Sequence, residues 1–229
     1  VLAFEATDAG TRAVALQAHA AAQHERQRSV RLHEIRNTTI ALGMLRSQVA
    51  ALATGDYVAQ WDDDDVYHPS RITWSVGALL CSHAHALVLD AWVAVDYTLG
   101  LAYESTRYDY EGSIVARAAS VRDDCYPAHL SSREDTACVK KLRAAGKLAS
   151  MHAPHLYYYS AHGNNTFGSD HFLLMARQAS MAWKVQQDGR HRRALRPPQY
   201  ERLTWFFDAL AQSAEKALLA AADGPGFAQ

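Results

Sequence analysis

The sequence predicts an α/β domain, with a mostly parallel sheet flanked by helices, a small antiparallel addition and a C-terminal helix. Three observations carry that expectation. Strand-like and helix-like segments alternate early in the chain, short strand-like runs crowd the middle, and a long amphipathic stretch lies near the end. With 229 residues, 49% hydrophobic and 21% charged, the chain can bury a sizeable core and does not have the composition of a disordered one.

The elements follow in order. Val1–Phe4 is apolar and runs into Thr7-Asp8-Ala9-Gly10-Thr11, a strand followed by a turn. Arg12–Gln23 is rich in Ala and Leu and is expected to be helical. His24–Thr39 is polar and mixed and shows no clear pattern. Leu45, Val49 and Leu52 restore helical spacing, with Gly55 placed to end that helix. Tyr57–Trp61 is a strand that enters four aspartates, and Pro69 then opens a helix to about Leu80. Ala86–Val95 is expected to form one long strand, with shorter ones at Leu101–Glu104 and Ser113–Ala116. Glu134–Ala145 is predicted helical, His155–Tyr159 extended, Ala161–Ser169 a polar loop and His171–Ala182 helical. The Arg-rich segment with Pro197-Pro198 is expected to be a linker, and Tyr200–Ala222 one amphipathic helix.

Charge and cysteine content narrow the classes of function. Lys and Arg total 23 against 24 for Asp and Glu, a net charge of -1 that offers no global attraction to nucleic acid. Arg190, Arg192, Arg193 and Arg196 form a local basic patch with His191. Cys81, Cys125 and Cys138 lack zinc-site spacing, and so odd and sparse a count favours a reducing compartment. The expected location is therefore cytoplasmic, free or at the periphery of a membrane. No apolar run approaches the roughly 20 residues of a transmembrane helix.

The acidic cluster is the chemical centre of the sequence. Asp62, Asp63, Asp64 and Asp65 stand at the C-terminal end of a predicted strand, where open α/β sheets bind ligands. Four adjacent carboxylates repel one another unless a cation or hydrogen-bond donors compensate. Along an extended segment Asp62 and Asp64 point the same way, and two hard oxygen ligands suit Mg²⁺ or Mn²⁺. A solvated acidic loop is the simpler alternative for such a run.

The stretch from Leu45 to Ile72, through Gly55-Asp56-Tyr57, Asp62–Asp65 and Pro69, resembles family 2 glycosyltransferases of the GT-A fold. The resemblance implies a nucleotide-sugar donor, with UDP the expected carrier, and a saccharide or other hydroxyl acceptor. It makes Asp62 and Asp64 an Asp-x-Asp motif, Asp64 binding Mn²⁺ or Mg²⁺ directly and Asp62 meeting the ribose or a metal-bound water. Arg133-Glu134-Asp135-Thr136 resembles the family's Glu-Asp motif, which implies Asp135 as general base in an inverting transfer. Acids in a first helical turn are also stabilising on their own account. His162-Gly163-Asn164-Asn165-Thr166, followed by His171-Phe172, resembles a loop that implies His162 at the metal or diphosphate and Asn165 and Thr166 at phosphate oxygens. His171 is expected to be structural. Tyr110-Glu111-Gly112-Ser113 with Arg117 resembles a strand bordering the acceptor site. Val1–Thr11 resembles the family's second strand, with Asp8 near a donor-binding acidic turn, which leaves the first strand outside this sequence. The expected organisation is a GT-A-like domain over 1–182, cut at its N-terminus, with a linker and C-terminal helix over 183–229.

Two other classes also fit part of the pattern. Asp62-Asp63-Asp64-Asp65-Val66 matches the opening motif of haloacid-dehalogenase-type phosphatases, with Asp123-Asp124 as a late acidic pair. That motif usually lies near the chain start, and the downstream motifs would go unused. A non-catalytic scaffold holding a structural metal is the third class, although EF-hand spacing is absent.

Overall fold

The structure, a computed structural model, describes residues 1–23, 29–36, 39–97, 101–122, 124–163, 165, 167–179, 181–188 and 191–194. The strands are β1 (Leu2–Glu5), β2 (Leu32–Ile35), β3 (Tyr57–Ala59), β4 (Val66–Tyr67), β5 (Ala86–Leu89), β6 (Val93–Asp96), β7 (Leu101–Glu104), β8 (Tyr110–Arg117), β9 (Leu148–Met151), β10 (Tyr157–Ala161), β11 (Met181–Asp188) and β12 (His191–Ala194). The helices are α1 (Ala9–Gln23), α2 (Leu42–Leu52), α3 (Arg71–Ser82), α4 (Ala118–Val121), α5 (Glu134–Ala144) and α6 (Ser169–Gln178). The C-terminal helix expected over 200–222 lies outside the described residues, as does Thr166.

The chain divides into two compact units. The first takes in Val1–Trp61, Ile72–Val88 and Glu111–Met151. It holds a parallel β1–β2 pair joined through α1 and a four-stranded sheet in the order β3-β8-β5-β9. Alternation along the strands splits this core into two faces. Ala86, Val88, Ile114 and Ala116 meet Val139 and Leu142 of α5 on one face. Leu87 and Val115 meet Leu79 of α3 on the other.

The second unit takes in Asp62–Arg71, Leu89–Tyr110 and the described part of His152–Gln229. Its sheet runs β12-β11-β7-β6-β10-β4. At its centre β6 and β10 are parallel, Tyr158 facing Val93 and Ala161 facing Asp96. Tyr157, Tyr158 and Tyr103 are fully buried there.

Three sequence expectations are corrected. The sheets are mixed, not mostly parallel: β3–β8, β4–β10, β6–β7, β7–β11 and β11–β12 all pair antiparallel. Only residues 97–100 separate β6 from β7, and so short a link cannot cross over to make a parallel pair. The single strand expected over Ala86–Val95 breaks at Asp90-Ala91-Trp92, and its halves β5 and β6 enter different sheets. The last helix of the expected domain ends at Gln178, and part of the expected linker forms the β11–β12 hairpin. The apolar–polar alternation of Trp183 and Val185 with Lys184 and Gln186 favours the strand.

Cysteine pairing adds a constraint that spacing did not reveal. Cys125 and Cys138 form a disulfide with a Cα–Cα distance of 4.7 Å, inside the core of the first unit, while Cys81 is free and exposed. The bond fastens α5 to the loop before it.

Close backbone approach also fixes α2. Gly43 donates its N–H to Leu130 O at 2.8 Å, and a Cβ at this position would overlap the Pro127 carbonyl. Gly43→Ala is therefore expected to lower stability by about 1–3 kcal/mol, the usual cost of overpacking. Equilibrium urea unfolding checks this, an unchanged midpoint being the contrary result.

Candidate functional site

The acid cluster forms a turn directly after β3, as the sequence expects. Tyr67, on β4, staples the start of that turn. Its hydroxyl accepts the Asp62 N–H at 2.8 Å and donates to the Asp62 carbonyl at 3.1 Å. The end of the turn is held by Asp65. Its carboxylate accepts the Tyr157 hydroxyl at 2.5 Å and the Ser160 N–H at 2.9 Å, both from β10.

Asp65 is thus an anchor within the turn. Burial pushes its carboxyl up to about 7, against the two hydrogen bonds that favour the charged form, and the neighbouring Asp64 and Asp62 add to the rise. Tyrosines surround it. The rings of Tyr67 and Tyr110 each meet Tyr157 edge-on at 4.8 Å, and Trp92 stacks on Tyr110 at 4.3 Å. The buried Arg71 guanidinium sits 4.5 Å from the Tyr67 ring centre and 5.3 Å from that of Tyr157. Burial lowers the Arg71 pKa and raises those of Tyr67, Tyr110 and Tyr157.

Asp64 stands at the open side of the turn. His162, which follows β10, brings Nε2 to 3.2 Å from Asp64 Oδ2, with the two side chains 35% and 47% exposed. Asn165 shapes the His162 loop. Its Oδ1 accepts the His162 N–H at 2.8 Å, while its Nδ2 lies 2.9 Å from the Ser160 carbonyl and 3.3 Å from His162 Nε2. Two residues of the expected metal set, Asp64 and His162, therefore meet across 98 positions of sequence. Among the described residues no group of three His, Cys, Asp or Glu side chains could hold a metal by itself. The Asp64–His162 pair still fits an ion such as Mg²⁺ or Mn²⁺, which keeps several waters and takes further ligands from substrate phosphates.

The other expected residues have local settings of their own. Asp8 and Asp135 belong to the first unit. Asp8 caps α1, accepting the Thr11 N–H at 2.9 Å and the Thr11 hydroxyl at 2.6 Å, and these bonds lower its pKa. Asp135 opens α5 and accepts the Thr136 N–H at 2.7 Å. Its neighbour Glu134 is buried and bound to Arg46 Nε at 2.6 Å, so the Glu-Asp pair divides into an anchored Glu134 and a partly exposed Asp135. His171 stacks on Phe167 at 4.7 Å in α6, a packing role. Tyr67, Arg71, Tyr157 and Ser160 are the contributors that sequence reasoning missed. The run Tyr157-Tyr158-Tyr159 held the usable signal, since strand alternation sends Tyr157 and Tyr159 to one face.

Comparison with known proteins supports the fold. No protein-family model and no curated protein matches the chain. Among solved structures it is similar to S. aureus TarS 1-349 in complex with UDP-GlcNAc, at 14% identity and a TM-score of 0.50, over 72% of this chain and 55% of that one. A second TarS 1-349 structure gives 13% identity, a TM-score of 0.49 and coverages of 67% and 48%. The chain spans about half the length of these relatives. The likeness shows that the chain shares a mixed α/β fold with the TarS domain. Among the described residues no helix is long and apolar enough to cross a membrane.

The Asp65 shift has a stability consequence. A carboxyl raised to about 7 in the folded state, from an ordinary 3.8, binds more proton folded than unfolded between those values. Stability should thus fall as pH rises from about 4 to about 7 and level off above. Asp65→Asn is expected to flatten that part of the profile. Thermal unfolding in EDTA across this range checks it, an identical slope in both proteins being the contrary result.

Proposed function

We propose that this chain transfers a sugar from a nucleotide-sugar donor to an acceptor hydroxyl, with Mn²⁺ or Mg²⁺ held by Asp64 and His162 and with Asp62 beside them. The observation that carries the proposal is the meeting of Asp64 and His162 at 3.2 Å on a GT-A-like fold.

The bound cation would supply positive charge for the departing diphosphate. The rest is the work of the chain. Asp65, Tyr157 and Tyr67 fix the turn so that Asp64 needs no rearrangement to bind. Asn165 orders the His162 loop, and Asn165 and Thr166 are the proposed contacts to donor phosphate. Asp8 is the proposed contact to the donor nucleoside. Asp135 takes the proton from the acceptor hydroxyl as that oxygen attacks the anomeric carbon, and displacement in one step inverts its configuration. The TarS complex contains UDP-GlcNAc, which makes that compound the first donor to test. Neither the phosphatase nor the scaffold reading gains support from the fold comparison.

Two variants test the assignment. Asp64→Ala is expected to weaken Mn²⁺ binding by roughly tenfold or more in calorimetry while the fold persists. Unchanged Mn²⁺ affinity would remove Asp64 from the site. Asp135→Asn is expected to keep UDP-GlcNAc affinity and lower kcat by roughly a hundredfold or more. Transfer at the unaltered rate would show that Asp135 is not the base.

A further inference from the structure

A second cluster of polar side chains lies in the same unit as the acid turn and takes no part in it. Asp90, at the break between β5 and β6, accepts a hydrogen bond from His152 Nδ1 at 2.7 Å. Arg107 Nη1 lies 3.6 Å from the other carboxylate oxygen of Asp90. The Asp90 side chain is only 18% exposed, and that of His152 is 44% exposed. With Nδ1 protonated and held by Asp90, His152 Nε2 carries a lone pair and makes no hydrogen bond to a described residue.

The loop that carries Arg107 is built onto this pair. Ser105 N–H donates to the Trp92 carbonyl at 3.0 Å, and Trp92 N–H donates to Ser105 Oγ at 3.2 Å. Tyr108 N–H donates to the Asp90 carbonyl at 2.8 Å. Tyr108 and Tyr110 both pack on the buried Trp92, at 6.1 Å and 4.3 Å, yet Tyr108 remains 50% exposed. An exposed aromatic ring and a guanidinium on one braced loop thus accompany a carboxylate and an acceptor nitrogen from two other segments, Asp90 and His152.

This combination matches the surface of a neutral sugar ring. A pyranose offers C–H groups on its faces and hydroxyls around its rim, which are donors and acceptors at once. An aromatic face takes the first, and His, Asp and Arg take the second. A net excess of positive charge would favour a phosphate, but Asp90 balances Arg107 here. We infer that Asp90, His152, Arg107 and Tyr108 form a saccharide-binding subsite for the acceptor. The hydroxyl donates to His152 Nε2, Arg107 donates to a second oxygen, and Tyr108 covers a ring face. The Trp92–Tyr110–Tyr157 ring contacts tie this subsite rigidly to Asp65. The acceptor role rests on the transferase reading above.

The test uses the full chain and a panel of neutral probes, namely methyl glucopyranosides, methyl N-acetylglucosaminide, maltose and cellobiose, at millimolar concentrations. NMR of the His and Tyr side chains should show saturable shifts at His152 and Tyr108 with at least one probe. Tyr108→Ala and His152→Ala should each weaken that binding by roughly fivefold, the loss of about one hydrogen bond or its equivalent. Mn²⁺-dependent UDP-GlcNAc binding should stay as in the unaltered chain. Absence of shifts at both residues across the panel, or saccharide affinity in both variants unchanged from that of the unaltered chain, would overturn the subsite. Failure of UDP-GlcNAc binding with the saccharide shifts intact would overturn the transferase reading and leave a saccharide site standing. Tyr108 lies half in solvent, so its variant remains informative even if His152→Ala misfolds.

Discussion

One partly buried carboxylate constrains the acid turn. Asp65 is largely withdrawn from water beside two other aspartates, an arrangement that disfavours its charge and would drive the turn open without compensation. Tyr157 and the Ser160 N–H provide that compensation from one strand, β10. Because His162 follows β10 directly, the same bonds that hold Asp65 also set where the imidazole stands. The meeting of Asp64 with His162 therefore follows from the anchoring of their neighbour.

The tyrosine layer determines how well that anchor works. Tyr67, Tyr110 and Tyr157 pack edge to face, in the orientation favoured by the ring quadrupole. They exclude water while leaving hydroxyls for the turn, which a layer of Leu or Phe could not do. The same quadrupoles accommodate the buried Arg71 cation, 4.5 Å from the Tyr67 ring centre. A low-dielectric floor then strengthens electrostatic interactions at the turn above it.

Much of this was legible in sequence, and the exceptions have physical causes. Asp62–Asp65 could be placed because Tyr57–Ala59 is a strand by composition and the acids directly follow it. His162 was singled out through its resemblance to a loop motif, since no local pattern links positions 64 and 162. The break at Asp90 was missed because Ala86–Val95 reads as one apolar run. A hydrogen bond to a residue 62 positions away leaves no periodic trace. The mixed sheets were missed for a related reason: alternation shows that a strand exists but not which partner it pairs with. Asp65 was grouped with its neighbours as one charge cluster, and its bonds to Tyr157 and Ser160 distinguish this partly buried anchor from the exposed Asp64.

The central claim is that Asp64 and His162 together take up a divalent cation. A crystal soaked with Mn²⁺ and UDP-GlcNAc, measured for anomalous scattering, tests it most directly. The account predicts a Mn²⁺ peak bound to both Asp64 and His162, at the roughly 2.0–2.2 Å expected of such ligands. A peak held by other residues, or none at saturating Mn²⁺, would contradict it.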